Sequence, residues 1–305
     1  KKETKIKVLK ALDFLEYGKK EKKKIFLFCQ SGNSYNISLQ ATLNKILSKN
    51  NLIEIDSEFI LTRDKISKKI EKRILEDEEY DGLISVSTEN PIINNIVQNF
   101  INKRKPCITL TSDLSQTKRN AYVGNDQVAA GSTAAKLLTS LNPSSKNKKG
   151  ELLMVISQPF RCQQERELGF KKIIRYEFPK LNIRDGIQTT DTSEESYKHI
   201  KKYIKEYGPP SGIYNITGGN KGIAEAIKDC QCEKIPFVGH ELNKNTKTLL
   251  DKDQIDYVIS HDLEYELSKS ISLINDFYNN FIIEDFKTNI LIFNKHNCTN
   301  EKEIY

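Results

Sequence analysis

Short, continuously apolar runs alternate along most of this chain with longer segments in which apolar residues recur every three or four positions. The runs at 25–29, 53–61, 82–86 and 107–110 predict strands, and the stretches 38–49, 67–76 and 91–101 between them predict helices. The alternation begins again with a helix at 129–140. Strands follow at 152–156, 182–188, 212–216, 236–239 and 257–260, separated by helices at 166–177, 194–206, 221–229 and 246–250. Strands this apolar are buried on both faces, so the pattern implies an α/β fold of two doubly wound lobes, each built on a parallel sheet. A helix at 265–279 and a strand at 288–293 are left over. Residues 4–17 predict one further short N-terminal helix, too short to be stable by itself.

Length and composition fit this picture. A chain of 305 residues can bury two compact cores, and 37% hydrophobic with 29% charged residues describes a globular chain. The longest apolar runs fall far short of the ~20 residues that span a bilayer, and no apolar stretch of signal-peptide type follows the Lys-rich start. The net charge of +7 is uneven. Residues 1–24 hold ten lysines against Glu3, Asp13, Glu16 and Glu21, leaving only +1 for the remainder. Such a basic arm suits a polyanionic partner, or equally a solvated linker. The cysteines at 29, 107, 162, 230, 232 and 298 lack disulfide-scaffold spacing and are expected to be free thiols of a reducing compartment. Cys230-Gln-Cys232 has no second pair that would complete a metal site, so no metal and no cofactor are expected.

In doubly wound folds, ligands bind in the crevice beyond the carboxyl ends of the strands. The loops there are rich in hydroxyls, amides and acids. They offer Ser31, Asn33 and Tyr35 after the first strand, Ser87 and Thr88 after the third, and Asp113 after the fourth. Asp126, Phe160, Arg166, Asn220, Glu241 and His261 come from the second half. Such groups suit a hydroxyl-rich ligand, with Tyr35 or Phe160 as a stacking platform. Each has a structural alternative. Asp126 precedes a helix and is a natural N-cap, Arg166 could pair with Glu165 or Glu167, and lone aromatics usually belong to a core. Gly218-Gly219-Asn220-Lys221-Gly222 is not a nucleotide fingerprint and reads as a tight strand-to-helix turn. No nucleophile elbow, His-Glu-x-x-His helix or Cys/His nucleophile set is present, so an enzyme is not expected.

Four segments carry a resemblance. Tyr122-Val-Gly-Asn-Asp-Gln-Val-Ala-Ala-Gly-Ser-Thr-Ala-Ala-Lys-Leu-Leu-Thr139 is followed by Glu165-Arg166-Glu167-Leu168-Gly169-Phe170. Gly212-Ile213-Tyr214-Asn215 and Val238-Gly239-His240-Glu241-Leu242 then come in turn. The ordered set resembles the lactose-repressor (LacI) family and the type I periplasmic sugar-binding proteins over roughly residues 24–295. The resemblance implies three crossover segments, a first lobe of 25–120 plus 263–287, and a second lobe of 121–262 plus 288–305. It gives Asp126, Arg166 and Glu241 ligand-binding roles and leaves His261 at the end of a crossing strand. Residues 1–24 resemble the end of a DNA-binding headpiece without its recognition or hinge helix. The main expectation is therefore a cytoplasmic transcriptional regulator that senses a sugar-like effector, binds operator DNA and forms a homodimer away from any membrane. The apolar helix 91–101, with helix 67–76, is the expected dimer surface. The alternative is the soluble solute-binding protein of a sugar ABC importer.

Overall fold

The computed structural model describes residues 22–49, 53–76, 79–141, 149–157, 160–232 and 234–298. The helix expected at 4–17 lies outside them. Two six-stranded sheets organise the chain. The first has the order β2(Ile53–Leu61), β1(Lys23–Ser31), β3(Gly82–Val86), β4(Cys107–Leu110), β5(Ala121–Asn125), β11(Phe286–Thr288), all parallel. The second repeats it as β7(Leu181–Gln188), β6(Gly150–Ile156), β8(Gly212–Asn215), β9(Phe237–His240), β10(Tyr257–Ser260), β12(Leu291–Phe293), with only β12 antiparallel. The two doubly wound lobes of the sequence pattern are present.

Burial on both faces explains why the strands are so apolar. In β1, Ile25, Leu27 and Cys29 face a core shared with helices α1(Asn33–Lys49) and α9(Leu263–Tyr278), while Phe26 and Phe28 face α2(Lys68–Glu76) and α3(Pro91–Asn102). Asn90 starts α3 by accepting from the Ile92 and Ile93 N–H groups, each at 3.1 Å, and Pro91 presets the first turn. Ile93, Ile96, Val97 and Phe100 of α3 are all buried in the lobe's own core. The apolar face on which the dimer expectation rested is thus already covered.

The second lobe adds α4(Gln127–Ser140), α5(Arg161–Glu177), α6(Ser193–Tyr207), α7(Asn220–Asp229) and α8(Lys244–Asp251). Ala130, Ala134 and Ala135 of α4 pack on the sheet core with Met154, Phe170 and Tyr214. Gly131 instead faces α5.

Two expected boundaries move. Residues 121–125, expected to open the second lobe, pair with β4 and β11 and so belong to the first sheet. The chain crosses only after polar Asn125-Asp126. The single strand expected at 288–293 is two strands, β11 in the first sheet and β12 in the second, because the chain crosses between Thr288 and Leu291. With the crossing between β10 and α9, three segments join the lobes.

Candidate functional site: a cleft between the lobes

Among the described residues, seven that are not glycine have φ in the left-handed region. Four of them, Arg104, Gln231, Asp253 and Asn280, stand just past helix C-caps, where the chain ordinarily turns that way. The other three do not end helices. Thr111 (φ 60°) follows β4, Glu241 (φ 69°) follows β9, and Asp191 (φ 63°) lies three residues past β7. Each conformation costs roughly 1–2 kcal/mol for a residue with a Cβ. All three line one chamber of about 40 Å³ between the lobes.

The chamber's walls come from strand ends of both sheets. Ser31 ends β1, Gly32 and Tyr35 follow it, and the Tyr35 hydroxyl shares a 2.7 Å hydrogen bond with Thr111 Oγ1. The Thr111 carbonyl accepts from Tyr122 Oη (3.2 Å) and Gln127 Nε2 (3.1 Å), and Gln127 Oε1 accepts from Arg166 Nε at 2.7 Å. Arg166 Nη1 donates to the Ile216 carbonyl at 3.2 Å. A continuous relay of hydrogen bonds therefore joins the first lobe's wall to a buried guanidinium of the second. Opposite, Asp191 accepts from the Gly218 N–H and from Ser157 Oγ, both at 3.0 Å. Burial pushes the carboxyls of Asp191 and Glu241 above the usual range, although Arg166 and His261 oppose this at Glu241. Thr217 lines the chamber, and its hydroxyl has no partner among the described residues.

The lobes touch at the mouth, where a Cβ on Gly32 would stand 3.1 Å from the Asp191 side chain. At 40 Å³ the chamber has room for about three waters. Anything larger fits there only if the lobes part.

Tyr35 and Glu241 also line a second chamber of about 220 Å³ on the hinge side, with Lys45, His261, Glu264 and Phe293 among its walls. His261 lies parallel to Tyr35, ring centroids 6.5 Å apart. Its Nδ1 bonds to Glu266 Oε2 at 2.6 Å, and Glu266 Oε1 accepts from Thr288 Oγ1 at 2.5 Å. Glu266 is wholly buried, so this network fastens two of the three crossovers to α9. Among the described residues, no group of three or more His, Cys, Asp or Glu is arranged to hold a metal ion.

Of the residues expected from sequence, the structure gathers Ser31, Tyr35, Phe160, Arg166 and Glu241 around the smaller chamber and His261 at the larger. The others have different work. Asp113 is gripped by Arg119 through two bonds of 2.6 and 2.7 Å, because the arginine bridges it to Asp285 at the root of β11. Asp126 caps α4 through the Ala129 N–H at 3.0 Å and pairs with Lys287, outside the smaller chamber's lining. The Asn220 side chain ties Asn215 to the His240 carbonyl. Ser87 bonds to Ser85, the Thr88 carbonyl accepts from Asn90, and Asn33 is an exposed first residue of α1. Thr111 and Thr217 lie on polar loops the sequence places at the cleft but were not singled out there, and Gln127 and Asp191 were missed. For Asp191 the signal was the polar loop Thr189-Thr190-Asp191-Thr192 directly after a strand.

The sequence pattern of the family described as "Periplasmic binding protein domain" matches residues 31–277. A comparison with curated proteins found no match. Among solved structures, the chain is similar to an ABC transporter solute-binding protein from Burkholderia graminis in complex with D-arabinose (TM-score 0.82, 15% identity, 92% of this chain and 99% of that one). It is similar to one from Agrobacterium vitis with bound D-fucose (0.81, 15%, 92% and 100%). A glucose-galactose binding protein from Geobacillus stearothermophilus is also similar (0.77, 17%, 91% and 99%). These neighbours overturn the expectation of a cytoplasmic, DNA-binding regulator of the lactose-repressor type. The four quoted segments encode a ligand-binding core that regulators and transport receptors share, so they could not separate the two. The chain belongs to the periplasmic binding protein domain family.

Proposed function

We propose that this protein is the solute receptor of a sugar ABC importer, working outside the cytoplasmic membrane. It captures a monosaccharide-sized ligand by closing its lobes on it. The observation that carries this reading is the convergence of Thr111, Asp191 and Glu241 on one inter-lobe chamber. Three left-handed side-chain-bearing residues outside helix ends represent strain, and strain of this kind collects where a binding site must be aimed. The neighbours described as holding arabinose or fucose support the ligand class. Arg166 is the anchor: 4% exposed, it keeps donors beyond the two used by Gln127 and Ile216.

Thermal melts with a panel of pentoses and hexoses test the reading. A true ligand at a hundred times its Kd adds about 2.7 kcal/mol of stability. Arg166→Ala should remove the shift, because a charge-assisted hydrogen bond is worth about 1.5–3 kcal/mol. A panel that leaves the melting temperature unmoved throughout contradicts it.

A further inference from the structure

We propose that Gly32 and Asp191 form the seat on which the lobes close, and that the bare α-carbon of Gly32 sets how tightly the ligand is held. This rests on the receptor reading above and deepens it.

Gly32 has no local reason to be glycine. Gly208 and Gly219 adopt φ of 84° and 81°, which side chains resist, but Gly32 lies outside that region. It directly precedes α1, and its carbonyl accepts from the Asn36 N–H at 3.0 Å. Serine, threonine, asparagine or aspartate would start the helix there at least as well. What a side chain would meet is the other lobe. The three heavy atoms nearest to a Cβ on Gly32 all belong to Asp191: Cβ at 3.1 Å, Cγ at 3.3 Å and Oδ2 at 3.4 Å.

Asp191 has nowhere to retreat. Its φ of 63° fixes the loop after β7, and its Oδ1 accepts from the Gly218 N–H and its Oδ2 from Ser157 Oγ, both at 3.0 Å. Behind it, a Cβ on Gly218 would stand 3.0 Å from the Asp191 carbonyl oxygen, so the loop is already pressed against its own lobe. A second contact across the chamber, from the Cys162 N–H to Ser112 Oγ, is looser at 3.5 Å. Room for a side chain at position 32 therefore comes from the lobes parting. The parted form suffers no such clash, so the fold is spared and the closed form alone is penalised. Apparent affinity falls with the fraction of molecules able to close, and an enclosed ligand escapes sooner when closure weakens.

Calorimetric titration and dissociation kinetics of the whole chain test this, with D-arabinose, D-fucose, D-glucose and D-galactose as probes. Gly32→Thr keeps a residue that caps a helix as well as glycine does, so the ligand-free protein should melt where wild type does. The Kd of each probe that wild type binds should rise at least about tenfold, mainly through faster release, with Gly32→Ala in between. Asp191→Gly suits a φ of 63° and removes all three atoms that the new side chain meets. On that background Gly32→Thr should cost no further affinity. If Gly32→Thr does not fold, Gly32→Ala takes its place in the cycle; if Asp191→Gly does not bind, the affinity order Gly, Ala, Thr decides. Equal affinity in wild type and Gly32→Thr, or the same loss on both backgrounds, overturns the proposal and leaves the receptor reading standing. Wild type binding none of the four sugars overturns both.

Discussion

Gly131→Ala is the sharpest test of how the cleft is held. A methyl at Gly131 would stand 1.9 Å from the Arg166 carbonyl oxygen, and one at Gly169 would stand 2.0 Å from that of Val128. Both obstacles are backbone, so no rotamer change relieves them. Ordinary contact begins at 3.4 Å, and α4 and α5 would therefore have to separate by about 1.5 Å. Overpacking of this kind costs about 1–3 kcal/mol, with the upper end appropriate to an immovable neighbour. Alanine's better helix propensity returns up to ~1 kcal/mol. The net loss is about 2 kcal/mol, or roughly 4–8 °C in Tm at 2–4 °C per kcal/mol. Because Arg166 sits at the contact itself, its 2.7 Å bond to Gln127 lengthens and ligand affinity falls with stability. Urea and thermal unfolding measure the first effect and calorimetry the second. Gly208→Ala is the control: φ is 84° there with nothing within 4 Å, so it carries only the conformational cost of about 1 kcal/mol. A Gly131→Ala protein as stable as wild type, or no weaker than the control, would refute the close-packing argument.

Three further outcomes follow from particular contacts. Asp126→Ala should lose about 1 kcal/mol of stability with its N-cap and leave ligand affinity unchanged; a tenfold affinity loss would restore it to the site. Arg119→Met should cost about 2 kcal/mol in urea unfolding, because Asp113 and Asp285 lose a shared partner. Burial alone would lower the His261 pKa, but the Glu266 carboxylate outweighs it and holds the imidazole above its ordinary 6.5. That stabilisation is complete below pH 6.5 and is lost as pH rises through the higher folded value, so wild type should weaken with rising pH relative to His261→Gln. Parallel profiles for the two proteins would count against it.

The lobes were legible because each central strand is apolar on both faces, and a continuous run such as 25–29 can be little else. The helix starts were less so. Both α1 and α5 begin five residues before the apolar periodicity does, at Asn33 and Arg161. Asn36 looked like loop, yet its side chain donates to the Ile60 carbonyl at 2.9 Å, which fixes the first turn against β2. The site was half legible for a related reason. Composition identifies which side chains could meet a sugar, but aim is set by backbone conformation. Asp113 and Thr111 share one loop, and the acid looked the better ligand. The left-handed turn at Thr111 points its hydroxyl to Tyr35 instead, while Asp113 is drawn off by an arginine six residues on. A positive φ in a threonine, aspartate or glutamate leaves no mark in sequence, whereas a glycine at the same place would have been read at once. The very residues whose strain carries the functional reading were therefore the hardest to foresee, with Glu241 found only through its place after Val-Gly-His.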